Sequence, residues 1–315
     1  MKITEKVKNM KKYLPEGTLF NSMEMQKKLK NEQTIRDAYQ KDEIIEARAI
    51  RCDNEHNLYV DLGEIEGFMP HSEGAIGLND GSVRDIAIIS RVNKPVAFKI
   101  TDFIEGENGK QVALLSRRKL QEECTKNYLN TLKTGDIIDA KVTHIEPFGA
   151  FCDIGCGISA LLPIDGISVS RIPSPSARLS IGLCIRVIVK TIQDGRITLS
   201  HKELLGTWEE NANNFKIGET VPGIIRSVEK YGIFVELAPN LAGLAEFVSG
   251  PKQGDNASVY IKSINPERMK IKLIIVDCFE AEYQNSPIKY YFEGEHIDFW
   301  SYSPQNSSKL IETIF

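Results

Sequence analysis

Hydrophobic positions along this chain recur in short alternating runs rather than in long stripes. Ile138, Ala140 and Val142 are apolar with Asp139 and Lys141 between them, and a similar run sets off from Val221 and Ile224. Alternation of period two places one face of a strand in a core and the other in water. Gly, Pro, Asn and Asp interrupt these runs every few residues, as in small antiparallel β units. Three stretches follow the helical period instead. Leu120, Cys124, Tyr128 and Leu132 are so spaced within 117–132, and a short connector bearing Trp208 spans 201–215. Near the start, Ile3, Val7, Met10 and Leu14 recur at helical spacing ahead of Pro15-Glu16-Gly17.

The strand pattern repeats, and the repeat sets the architecture. GDIIDAKVTHIEPFGAFCDIGCGISALLPI from Gly135 aligns with GETVPGIIRSVEKYGIFVELAPNLAGLAEF from Gly218. Both reach an aromatic-Gly-x-Phe cluster, Phe148 to Phe151 in one and Tyr231 to Phe234 in the other, followed by Asp153-Ile154 or Glu236-Leu237. They close alike, with GRITLSHK after Asp194 and MKIKL after Arg268. A weaker upstream copy runs from Glu46–Arg51 through His56 and Tyr59 to LLSRR at 114–118. A closed five-stranded barrel suits units of this length, because closure removes exposed strand edges.

The expected fold class is therefore all-β dominated: three tandem five-stranded antiparallel barrels joined by short helices. The expected layout is a basic, partly helical segment over 1–40 and a degenerate first repeat over 41–119. A helical connector at 120–132, the second repeat at 133–203 and a connector at 204–215 follow. The third repeat takes 216–279, and an aromatic extension over 280–315 is expected to cap the last barrel. So many aromatics (Tyr290, Tyr291, Phe292, Phe299, Trp300 and Tyr302 among them) are costly to expose.

Net charge is −4 over 315 residues, which by itself argues against a nucleic-acid binder. The average hides unlike parts. Residues 1–40 carry 9 basic and 5 acidic residues, 41–123 carry 11 and 16, and 280–315 carry 2 and 6. The second and third repeats are each slightly basic, which leaves room for local basic grooves. No apolar run is long enough for a membrane helix, and MKITEKVKNMKKYL is not a secretory leader, so a cytoplasmic location is expected.

The motif Gly-Asp-x-x-x-Ala-x-Val leading into FGAFCDIG, closed by GRITLSHK, resembles the S1 RNA-binding domain. That domain is the OB-fold repeat of the ribosomal protein S1 family, whose type member holds mRNA on the bacterial small subunit. The middle repeat matches best, the third well and the first least, and together they resemble a short three-repeat member of the family. The resemblance implies that two aromatics per repeat project from a curved strand onto an RNA face beside basic residues. Carried over, these are Phe148, Phe151 and Arg196 in the middle repeat, Tyr231, Phe234 and Lys270 in the third, and His56 and Tyr59 in the first. The family's histidine after the third strand is replaced by Pro163 and Glu246 in the last two repeats.

Physical chemistry agrees with that use. Every base has a π-face, so paired aromatics bind single strands by stacking, while Lys and Arg neutralise phosphates. Spacing alone leaves a core-filling role open for Phe148 and Phe151. Three residues apart, they would fall on opposite faces of a regular strand, so a bend or bulge at Gly149 is expected.

Catalytic motifs are absent: there is no GxxxxGK[ST] loop, no GxGxxG and no HExxH. The five histidines are scattered, and Cys152-x3-Cys156 lacks a second pair at finger spacing, so neither metal nor cofactor is expected. Asp61, Asp153 and Glu236 recur at one repeat position and read as turn formers. The sequence thus points to a non-enzymatic protein that binds single-stranded RNA, mRNA above all, at the small ribosomal subunit, with no membrane or small-molecule partner. The rival is a docking module that binds ribosomal or RNA-decay proteins through its barrels, favoured by the acidic first repeat.

Overall fold

The computed structural model describes residues 12–106, 109–280 and 287–315. The sequence-predicted N-terminal helix positions Ile3, Val7 and Met10 lie outside the described residues. The chain divides into two compact units. One comprises the residues up to Leu132 with Asp139–Lys141 and Asp153–Ser159, and the other comprises Lys133–Ile138, Val142–Cys152 and Ala160–Phe315.

Three closed five-stranded barrels account for most of the strand content. The first is built from β1 (Ile45–Cys52), β2 (Leu58–Asp61), β3 (Glu66–Met69), β4 (Pro95–Glu105) and β5 (Gln111–Ser116). The middle one uses β6 (Ile137–Glu146), β7 (Gly149–Asp153), β8 (Ser159–Pro163), β9 (Cys184–Gln193) and β10 (Arg196–Ser200). The third uses β11 (Thr220–Glu229), β12 (Gly232–Ala238), β13 (Leu241–Ala245), β14 (Asn256–Asn265) and β15 (Lys270–Phe279). Strand order is the same each time, β1-β2-β3-β5-β4 and its equivalents. The barrels are not purely antiparallel: the third strand meets the fifth in parallel, as in Gly67↔Ala113, Leu161↔Thr198 and Leu244↔Lys272.

The alternation predicted for β6 holds, with Ile138, Ala140 and Val142 buried. Interiors are apolar and mostly aliphatic. Ala47, Val60, Phe98 and Leu115 fill the first barrel, and Ile225, Val235, Ile261 and Leu273 the third. Helices lie at Met23–Lys28, Glu32–Gln40, Arg117–Asn127 and Trp208–Ala212. In the third, Leu120 and Cys124 are buried, as are Tyr128 and Leu132 beyond its end. Asn31 and Thr207 each close a capping box, satisfying backbone donors at the helix start.

The aromatic extension does more than cap the last barrel. Trp300 and Tyr302 join the third-barrel core beside Trp208. Tyr290 and Phe292, however, pack against Ile137 and Ile188 of the middle repeat and Leu204 just after it, and Arg186 donates to the Phe292 carbonyl at 2.8 Å. Composition identified a covering segment but not that it covers two barrels, because aromatic content carries no address.

The recurring acidic position is structural in all three repeats. Asp61 accepts from the Gly63 amide at 3.0 Å, and Asp153 accepts from the Gly155 and Gly157 amides at 2.8 and 3.0 Å. Glu236 departs from a turn role: it is buried and bonds Arg226 in a fork at 2.7 and 3.1 Å, with Arg178 also on its carboxylate. Cys152 and Cys156 are both buried.

Candidate nucleic-acid interface

In the middle and third repeats one arrangement of rings appears twice. Phe148 and Phe151 have ring centroids 6.2 Å apart at 90°, and Tyr231 and Phe234 have centroids 6.2 Å apart at 85°. Phe148 is 55% exposed and Tyr231 71%, while Phe151 and Phe234 are half-buried. None of the four fills a barrel. The strand following Phe148 sends Ala150 and Cys152 inward, and the strand following Tyr231 sends Ile233 and Val235 inward. The core reading of these phenylalanines is thereby excluded.

No bulge at Gly149 is needed to bring the rings together. Phe148 and Tyr231 occupy the turn before the strand, which begins at Gly149 or Gly232, so strand alternation never applies to them. The irregularity lies instead on the preceding strand of the third barrel, between Ile225 and Ser227, opposite Phe234 and Val235. The glycine serves a different purpose. A Cβ at Gly149 would stand 2.5 Å from the Leu162 carbonyl oxygen, and one at Gly232 2.6 Å from that of Ala245. Only a residue without a side chain lets the neighbouring strand approach so closely.

Register completes the surface. Phe234 pairs with Leu244 on β13, and Leu244 with Lys272 on β15, so an aromatic, an apolar and a cationic side chain form one outward row. Lys270, the sequence-predicted cation, lies two residues earlier on the same outward face, paired with Asn265. Lys272 was missed, although its period-two spacing from Lys270 would have found it. In the middle barrel the equivalent cation Arg196 is exposed at the start of β10, and Thr198 stands where the third barrel has Lys272. His144 adds a third ring there, stacked 28° from Phe151 at 6.4 Å, with Nε2 2.7 Å from Glu146.

The first barrel keeps the row but closes its aromatic. Tyr59 pairs with Phe68, ring centroids 5.3 Å apart, and Phe68 with Leu114. The Arg51 guanidinium stacks 3.5 Å from the Tyr59 centroid, and the Tyr59 hydroxyl donates to Asp53 at 3.3 Å. Its groove is also lined by Glu32, Asp61, Glu64 and Glu66, which repel phosphate. His56 is not beside Tyr59's ring face but turned to His71 and Asp85, in a left-handed backbone conformation at φ 63°.

Raised ring pairs on tandem closed barrels of this strand order define a class: tandem OB-fold proteins whose open faces suit flexible strands bearing π-faces and negative charge. Residues 131–202 match the S1 RNA binding domain family. The chain is 29% identical over 278 residues to the small ribosomal subunit protein bS1 of Staphylococcus aureus strain COL, covering 81% of this chain and 68% of that one. To the bS1 protein of Staphylococcus epidermidis it is 28% identical over 264 residues, covering 78% and 64%. A crystal structure of a multidomain protein with nucleic acid binding domains from Streptococcus pneumoniae aligns over 77% of this chain and 76% of that one, at 13% identity and a TM-score of 0.25. The middle repeat therefore matches the S1 RNA binding domain family, and most of the chain is similar to bS1 proteins.

Proposed function

We propose that this protein holds single-stranded RNA, mRNA in particular, at the small ribosomal subunit during translation, in the cytoplasm and without catalysing a reaction. One observation carries the reading: the same edge-on ring pair is raised at the same turn of two successive barrels. In it, Phe148, Phe151, Tyr231 and Phe234 stack bases, while Arg196, Lys270 and Lys272 neutralise phosphates. Perpendicular rings favour bases that are already unstacked from one another, as in a single strand. Similarity to proteins named for the small ribosomal subunit supports the assembly. Among the described residues no helix is long and apolar enough to cross a membrane.

The first barrel favours the second reading, a docking module. Arg51 already occupies the face of Tyr59, and the groove beside it is acidic, so His56 and Tyr59 contribute least to RNA. Two further barrels in tandem still give useful avidity, because the second contact becomes intramolecular.

Fluorescence anisotropy with labelled single-stranded RNA tests the proposal. If two or three phosphates are neutralised, log K falls against log salt with a slope of roughly −1.4 to −2.1, about −0.7 per phosphate. No affinity at low salt, together with co-sedimentation with small subunits, would transfer the whole chain to the docking reading.

A further inference from the structure

His56, His71 and Asp85 are 15 and 14 residues apart in sequence, yet they converge on one side of the first barrel. Asp85 Oδ1 is 2.8 Å from His71 Nε2, and Asp85 Oδ2 is 3.4 Å from His56 Nδ1. One ligand atom from each lies within 4.8 Å of the others. We propose that these three side chains bind one divalent transition-metal ion of the zinc type, the open coordination positions facing solvent.

The donor set suits such an ion. Two neutral imidazoles and a carboxylate are borderline ligands that zinc accepts, and three protein ligands plus water form a common open site. Neighbouring ligands of a tetrahedral zinc stand about 3.4 Å apart, given bonds of about 2.1 Å. The cluster therefore needs only small side-chain rotations, with the ion replacing the present hydrogen bonds.

The backbone holds these ligands in advance. The Asp53 carboxylate accepts from the Glu55 amide at 3.0 Å and from the Asn57 amide at 2.9 Å, fixing the tight loop in which His56 adopts φ 63°. Asn57 Oδ1 then accepts the His71 amide at 2.9 Å, tying the second histidine to the same loop. Asp85 precedes the helical turn Ile86–Ile89, where an aspartate would ordinarily cap the exposed amides. It makes no side-chain cap bond there and directs its carboxylate to the imidazoles instead.

Cobalt(II), titrated into the full chain with its thiols kept reduced, reads the site directly. One equivalent should give visible d–d absorption without a thiolate-to-cobalt charge-transfer band, and zinc should displace it. His71→Gln and Asp85→Asn should each weaken cobalt binding by at least about tenfold, the loss typical even of outer-sphere changes. Melting curves of the metal-free variants, matching wild type, would show that the fold is intact. The inference is overturned if wild type takes up no more cobalt than the double variant, or if the absorption carries a thiolate band that both variants retain. It stands apart from the RNA reading, since RNA affinity measured with metal chelated tests that reading alone.

Discussion

Replacing Phe148 and Phe151 together by Ala separates base stacking from folding, and the structure sets the size of both effects. A fully buried phenylalanine contributes about 1.5–3 kcal/mol by leaving water. Phe148 is 55% exposed, so its own loss is limited to about 1 kcal/mol. Phe151 is half-buried and adds a similar amount, together with the edge-on ring contact of about 0.5–1.5 kcal/mol. This is well below the roughly 3–5 kcal/mol apiece that core phenylalanines would cost. Binding should respond far more strongly. At about 1–3 kcal/mol per stacked base, two lost platforms weaken RNA affinity by about 2–6 kcal/mol, a factor of about 30 to about 10⁴. Anisotropy titration beside thermal melting reads the two effects separately. Unchanged affinity with unchanged melting would refute the stacking assignment and leave RNA contact to Tyr231, Phe234 and Lys270. Collapsed melting would refute the structural reading of Phe148 as a surface residue.

Two further outcomes concern the first unit. Burial, and then the nearby Glu16 carboxylate, push Glu46 up to about 7, so its proton is held more tightly in the folded than in the unfolded chain. Its contribution is complete below the unfolded value near 4.5 and is lost as pH rises toward about 7. Glu46→Gln, which can still accept from the Gly17 and Leu19 amides, should therefore raise the melting temperature at pH 8 and leave it little changed at pH 4; an equal effect at both would contradict the assignment. Glu16 is buried against Arg117 at 2.6 Å and Arg91 at 3.1 Å, so Glu16→Ala strands two guanidiniums and should cost about 3–5 kcal/mol in denaturant titration, whereas a loss under 1 kcal/mol would show the cluster to be dispensable.

What the sequence disclosed follows the range of the interactions involved. Period-two runs and the repeated aromatic-Gly-x-Phe cluster are local, so barrel number and ring identity were legible. The facing of Phe148 was not, because it depends on whether the strand begins at 148 or 149, a one-residue boundary that patterning does not resolve. Lys272 was within reach of its period-two spacing from Lys270, but its place in one row with Phe234 required strand register, which links β12 to β15 through β13 across nearly forty residues. The meeting of His56, His71 and Asp85 required the path of the chain after β3, for which no spacing rule exists. The extension's two destinations depended on which apolar surfaces the middle and third repeats leave uncovered.

The same hierarchy explains how three copies of one frame come to differ in use. Inward positions must fit a closed barrel, so they remain apolar in each copy, mostly aliphatic. Outward positions are held only by their neighbours, and single changes there alter what the face can bind. Lys272 in the third barrel is Thr198 in the middle one, where His144, on another strand, adds a ring beside Phe151. In the first barrel Arg51 moves from possible phosphate partner to lid on Tyr59, and Asp61, Glu64 and Glu66 reverse the local field. An arginine on a ring face contributes about 0.5–1 kcal/mol at an exposed site, comparable to the lower end of base stacking. A base must displace that arginine before it can stack, and the acidic rim opposes its phosphate as it does so. The closed first face is thus a consequence of four outward side chains, with the barrel beneath them unchanged.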